Sequence, residues 1–442
     1  MKKYLFIAFL IPLITSAQHS IQGTFLPAAD FNFALLYYVT PTGTEYINQT
    51  KTKTDGSWSF TLNSQAKPGI YKIVYAVPVE TYNFDVFYSG NESVALTFSL
   101  EEGLNFTASE ENMVWQTYTD SLATINKLIS QYYTTENSKK QQKSALATIF
   151  KTQRNTQDSF EAKTSNMMIA PFVKASRTHI PKGYQAAQQY AQNIKEQYFD
   201  FINFGDTLLQ NTKFLNDRVL AYVLAMPPEQ EYYKQAVTTI VTASKPHDTA
   251  TIMLLANLWQ YMIQNQQPEV ANFISDTHLL PLAKQYNQTH LVNTLETYNK
   301  TAIGKQASNF NFTYLDSKKV TNTTLYNFNT SLKTLLIFWS SSCNHCLETL
   351  PKVAAFMEQY PNIVVLAYAL EDGVRQWNKF ITYLPQFTHT YDLQKWQSPV
   401  VETYGVSGTP SYYVLDSNKT ILAKPEDFEA LKMYFKNNHK QP

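Results

Sequence analysis

The chain has 442 residues, 44% of them hydrophobic and 16% charged, which is enough apolar material for several packed cores and excludes wholesale disorder. That length suits roughly two to four domains. A formal net charge of +1 shows neither the basic nor the acidic excess that marks nucleic-acid or anionic-membrane partners, so no nucleic acid is expected.

Residues 1–17 read as an export signal. Lys2 and Lys3 precede an apolar run from Leu5 to Ile14, and Thr15-Ser16-Ala17 supplies small residues for cleavage after Ala17. The run is about ten residues, half of the roughly 20 a bilayer span needs. No cysteine follows the cleavage site to carry a lipid. The mature protein is therefore expected in the bacterial periplasm, not spanning a membrane.

Residues 18–104 read as a β-sandwich domain. The runs Ile21–Leu26, Phe33–Val39, Trp58–Leu62, Tyr71–Tyr75, Phe84–Tyr88 and Val94–Leu100 are rich in β-branched and aromatic residues. Turn signals such as Asp55-Gly56 and Pro68-Gly69 separate them. From 105 to 300 the apolar period lengthens toward 3.6, which predicts an all-α region. Leu255, Leu258, Trp259 and Met262 form one stripe, and "GYQAAQQYAQNIKEQYFDFINF" (183–204) reads as another helix. Pro181, Pro227-Pro228, Pro246 and Pro268 divide the region. The bland reading of this part is a spacer or docking domain.

Residues 301–309 read as a polar linker. Residues 310–442 then alternate: strands at Phe310–Leu315, Leu332–Trp339, Ile363–Ala369 and Ser411–Leu415, helices at Glu348–Tyr360, Val374–Tyr383 and Pro425–Asn437. Such alternation predicts an α/β sheet domain.

The chain's two cysteines, Cys343 and Cys346, stand two residues apart. So short a loop is a poor structural staple, because the entropy gain grows with loop size. A buried strand ends at Trp339, a Ser-rich turn follows, and a helix begins at the cysteines. The unpaired N–H groups and partial positive charge of a helix N-terminus favour a thiolate. Cys343 is therefore the expected nucleophile. Cys346, one turn on, can resolve a mixed disulfide. Zinc would need four ligands, and there is no second pair. Haem attachment would need His directly after the second cysteine, where Leu347 stands. No metal and no cofactor are expected.

These residues carry a family resemblance over roughly the last third of the chain. "LLIFWSSSCNHC", "ASNFNFTYLDSKKVTNTTLYNF" and "YGVSGTPSYYVLD" resemble, in that order, the active-site, opening and cis-proline segments of thioredoxin-fold proteins of the TlpA/ResA-like branch. Its β-rich N-terminal region is similar to domains that precede thioredoxin domains in envelope proteins. The resemblance implies that Pro410 is cis and faces the cysteines. It also implies that Thr409 offers backbone to an extended client, and that Trp339 packs beside the turn.

Two positions depart from the family. Ile337 stands where thioredoxin keeps a buried Asp, and Thr349 where the branch commonly has Glu. Glu348 is one residue early, about 100° round the helix. It reads either as a tuning residue or as an acidic residue at a helix start. His345 between the cysteines can place charge or a hydrogen bond near Cys343, which would make the disulfide more oxidising. The branch points instead to a reductant.

The expected function is thiol–disulfide exchange with client proteins, coupled to a membrane thiol donor or acceptor. Two alternatives stand beside it. A peroxiredoxin-like peroxidase fits Ser340, but Leu336 stands where that family has Pro. A non-catalytic binding or scaffold protein would use the fold alone.

Overall fold

The computed structural model describes residues 19–438 apart from 41–42, 135–139, 317–318 and 331; the export signal expected at 1–17 lies outside the described residues. The chain divides into two compact units. The first runs to Ala225 and includes Thr242–Thr251; the second holds Met226–Val241 and everything from Ile252. The central helical region is thus shared between the two units and is not a third body.

In the first unit, eight strands form two sheets. They are β1 (Ser20–Leu26), β2 (Phe33–Thr40), β3 (Gly43–Lys51), β4 (Ser57–Thr61), β5 (Gly69–Val74), β6 (Asn83–Tyr88), β7 (Val94–Ser99) and β8 (Gly103–Ala108). One sheet has the order β4-β1-β7-β8, the other β3-β2-β5-β6. Strand alternation sends Ile21, Phe25, Trp58, Phe60, Leu96 and Phe98 of the first sheet against Leu36, Tyr71, Ile73 and Val86 of the second, which makes a sandwich core. The Asp55-Gly56 turn needs its glycine: φ is +80°, and a Cβ there would meet the Phe25 carbonyl oxygen at 2.3 Å.

Two strands were not foreseen. β3 is exposed along nearly all its length and has no buried face to impose a pattern. β8 extends to Ala108, beyond the expected limit at 104. Helices follow, from Glu110–Thr134 and Lys140–Lys163 to Phe214–Leu224. The helix expected over 183–204 forms only at Ala187–Glu196. Beyond it, Phe199, Ile202 and Phe204 are all buried, and turns replace the helix, with Ile202 N–H donating to the Phe199 carbonyl at 3.0 Å. The spacing of these three residues does not fit one helical face.

In the second unit, Leu255, Leu258, Trp259 and Met262 lie buried along the helix Asp248–Gln264. A hairpin of β9 (Asn311–Asp316) and β10 (Lys319–Thr324) precedes a five-stranded sheet. That sheet comprises β11 (Lys333–Trp339), β12 (Ile363–Ala369), β13 (Thr388–Tyr391), β14 (Ser411–Leu415) and β15 (Ile421–Ala423), in the order β13-β12-β11-β14-β15. β11, β12 and β13 run parallel, while β14 and β15 are antiparallel to their neighbours.

β11 is covered on both faces, which is why its sequence is continuously apolar. Leu335, Ile337 and Trp339 share a core with Leu350, Val353, Tyr412 and Phe435. Leu336 and Phe338 face the other core with Phe310, Tyr404 and Tyr413. The expected polar linker at 301–309 is tied down rather than loose. Gly304 N–H donates to Ile421 O, Ile421 N–H to Lys305 O and Ala307 N–H to Lys419 O, each at 2.8 Å, with Ala302 and Ala307 buried beside them. The expected helix over Val374–Tyr383 is an α-helix at Arg375–Phe380 that tightens into a 3₁₀ turn, Ile381–Tyr383.

Candidate active site

The parallel strands β11, β12 and β13 all end at one edge of the sheet, where open α/β sheets carry their functional groups. β11 ends at Trp339. The turn Ser340–Ser342 follows, and Cys343 caps the helix Asn344–Met357. Cys343 has extended backbone, φ −93° and ψ 106°, so its side chain folds over the first helical turn. The Cys346 N–H donates to Cys343 Sγ at 3.2 Å. Across the site, the Thr409–Pro410 peptide is cis, and Cys343 Sγ–H donates to the Thr409 carbonyl at 3.4 Å. Both cysteines are free thiols.

The two thiols are electrostatically unequal. Partial burial pushes Cys343 up, and the donated bond to the Thr409 carbonyl favours the neutral thiol. Hydrogen bonds from Cys346, from the Thr409 side chain and from the backbone N–H groups of Cys346 and His345 outweigh both, so the Cys343 thiol titrates below its ordinary value. Cys346 has no exposed surface. Burial first, then its hydrogen bond to Cys343, pushes it up to about 12 against an opposing backbone hydrogen bond from Ser340.

Sequence reasoning also singled out His345, Glu348 and Trp339 around the cysteines. The His345 side chain is exposed, and what reaches Cys343 from this residue is its backbone N–H. Glu348 is exposed, and the buried position beside it belongs to Thr349. Trp339 is fully buried in the core that contains Cys346, with its ring 5.5 Å from that of Phe380, and its Nε1 has no hydrogen-bond partner among the described residues.

Three features were not foreseen. Glu371 follows β12 and is only 3% exposed. Its carboxylate accepts from Ser341 N–H at 2.5 Å and Ser341 Oγ–H at 2.8 Å, and it forms no ion pair among the described residues. A carboxyl group buried this way ties down the turn before Cys343 through two hydrogen bonds. Its place directly after a continuous apolar strand was the available signal. Tyr412 lies in register with Ile337 on β14, and its hydroxyl is buried without a partner among the described residues. Burial, then the electrostatic influence of Cys346, Asp427 and Cys343, raises its pKa. The third feature is a groove beside the turn, lined by Leu347, Gln376, Lys379, Phe380 and Tyr383. No group of His, Cys, Asp or Glu among the described residues is arranged to hold a metal ion.

A cysteine at a helix cap, facing a cis-proline from the end of a central parallel strand, is the arrangement of a thioredoxin-like α/β domain. Residues 333–421 match the family model described as thioredoxin-like. None of the curated proteins compared is significantly similar in sequence.

Among solved structures, a thioredoxin-like protein from Bacteroides caccae is 21% identical, with 59% of this chain and 96% of that one covered and a TM-score of 0.38. A domain described as a possible thiol-disulfide isomerase from Cytophaga hutchinsonii is 30% identical over 31% of this chain and 93% of its own, TM-score 0.27. A thiol-disulfide oxidoreductase from Bacteroides fragilis is 20% identical over 30% and 99%, TM-score 0.27.

Proposed function

We propose that the protein exchanges a dithiol for a disulfide in client proteins, with Cys343 as nucleophile and Cys346 as resolving thiol. The observation that carries this reading is the inequality of the two thiols at one helix cap. Cys343 is half-exposed and its thiolate is favoured; Cys346 is buried and held as a thiol.

The Cys343 thiolate attacks one sulfur of a client disulfide. A Cys343–client S–S bond forms, the client bond breaks, and the departing client thiolate takes a proton from water. Cys346 then loses its proton and attacks Cys343 Sγ. The intramolecular disulfide forms and the second client thiolate leaves. The client gains two electrons, which the dithiol supplies, and a thiol donor restores the dithiol. Thr409 has no partner for its N–H among the described residues, so it is free to pair with a client backbone beside the attacked sulfur.

Net flow toward the client, as reductant, follows the TlpA/ResA-like resemblance. The export signal supports action in the bacterial periplasm, with a membrane thiol protein as donor. No helix among the described residues is long and apolar enough to cross a membrane.

Equilibration of the Cys343–Cys346 pair against glutathione buffers tests the direction. A potential near or below about −250 mV is expected, and one toward about −120 mV would turn the protein into an oxidant or isomerase. Cys343→Ser separates exchange from scaffolding: a scaffold keeps its function in that variant.

A further inference from the structure

The groove beside Cys343 has a composition that exchange chemistry alone does not require. It is a cavity of about 450 Å³, and Ser341, Ser342 and Asn344 of the redox turn form one wall. Whatever fills it therefore touches the chain on one side of the attacked sulfur. Leu347, Phe380 and Tyr383 make the apolar wall. Phe380 stacks obliquely on buried Trp339 at 5.5 Å and lies 6.2 Å from Tyr383, so an aromatic ladder climbs from the core to the rim. Its top rung, Tyr383, is 66% exposed. Large rings left in water at a groove's edge offer contact area at small entropic cost.

The charge in the groove is one-sided. Lys379 is the one charged residue lining it, and its ammonium forms no ion pair among the described residues. The nearby Lys395 is already paired with Asp372. Asn344, Gln376 and the serines are neutral donors and acceptors. An unpaired ammonium over an apolar wall attracts a carboxylate.

We propose that this groove selects client polypeptides bearing an acidic residue close to the reactive cysteine, with Lys379 as the residue that determines the preference. The occupant is a polypeptide because Ser341, Ser342 and Asn344, which flank Cys343 in the chain, form one wall of the groove, so a client held by its cysteine lays its neighbouring residues there. The inference rests on the exchange reading above and names its substrate class.

The test uses the full-length reduced protein and short peptides whose single cysteine is blocked by thionitrobenzoate, flanked by Asp, Asn or Lys. Attack by Cys343 forms the Cys343–peptide disulfide and expels the thionitrobenzoate anion, whose absorbance gives the second-order rate; Cys346 then releases the reduced peptide. Rates should fall in the order Asp, Asn, Lys, and the differences should collapse near 1 M salt, where the screening length is about 3 Å. Lys379→Gln should lose roughly two- to fivefold on the Asp peptide alone, the scale of an exposed ion pair. Lys379→Glu should invert the order.

Identical rate ratios in wild type and both variants would overturn the assignment. So would glutathione disulfide reacting as fast as the Asp peptide, since the groove would then serve small thiols. No reaction with any peptide or with glutathione would overturn the exchange reading itself.

Discussion

The rim of the redox site and the floor beneath it use the same helix turn in opposite ways. At the rim, Cys343 Sγ receives hydrogen bonds from the Cys346 and Thr409 side chains and from the Cys346 and His345 N–H groups. In the floor, Cys346 lies in an apolar core with Ile337, Trp339, Trp377 and Tyr412, where three polar atoms, Trp339 Nε1, Trp377 Nε1 and Tyr412 Oη, have no partner among the described residues. Fixed dipoles stabilise charge at the rim, and burial denies it below. A thiol biased toward the thiolate and a thiol held protonated arise from one set of hydrogen bonds and one core, with no titratable residue at position 337.

The largest break in this contrast comes from the cysteines. Cys343→Ser should reduce exchange to the uncatalysed rate. Cys346→Ser should let the first step proceed and accumulate a client mixed disulfide, visible by non-reducing electrophoresis. Absence of that adduct would remove Cys346 from the resolving role.

Next is pH. Alkylation of the reduced protein, followed by mass spectrometry, should modify Cys343 with a midpoint below that of an ordinary thiol, while native Cys346 stays protected. The signs for stability oppose each other. The lowered Cys343 contributes stability above its unfolded pKa that is lost as pH falls through the folded value. The raised Cys346 contributes below its unfolded pKa, and that contribution is lost as pH climbs toward about 12. A Cys343 midpoint as high as that of buried Cys346 would erase the difference between rim and floor.

A smaller effect is expected at Glu371. Glu371→Ala leaves the buried Ser341 N–H without its acceptor and should cost about 1–3 kcal/mol in denaturant unfolding, with Glu371→Gln milder because one acceptor oxygen remains. If neither variant is destabilised, the turn is held by its own backbone. The smallest effect should come from Tyr412→Phe, which removes a hydroxyl that bonds to nothing described. Stability should stay within about 1 kcal/mol of wild type or rise. A larger loss would mean that the floor is wetter or better bonded than it looks.

Elements whose burial imposes a period were legible in the sequence. β11 and β12 show as continuous apolar runs, and the Leu255–Met262 stripe shows as a helix face. β3 was not legible because almost none of its side chains is buried. The stretch after Glu196 was misread as helix because its aromatic residues are apolar without sharing a face. In the site, the cysteines announce themselves by spacing. Glu371 is harder to see, because its partner among the described residues, Ser341, lies on the neighbouring strand's loop and contact between them exists only once β12 pairs with β11. Lys379 and Tyr383 are likewise ordinary surface residues until the helix after β12 is laid beside the redox turn.

The backbone bonds between residues 304–307 and β15 bear on self-association. β15 is the outermost strand of its sheet, and an uncovered outer strand is a template onto which another chain can add. Gly304 and Lys305 occupy the Ile421 carbonyl and N–H of that row in cis, and Ala307 bonds to Lys419 just before the strand. A fragment beginning at 310 would bare the edge and should form concentration-dependent aggregates, whereas one beginning at 301 keeps its own cover strip and should stay monodisperse.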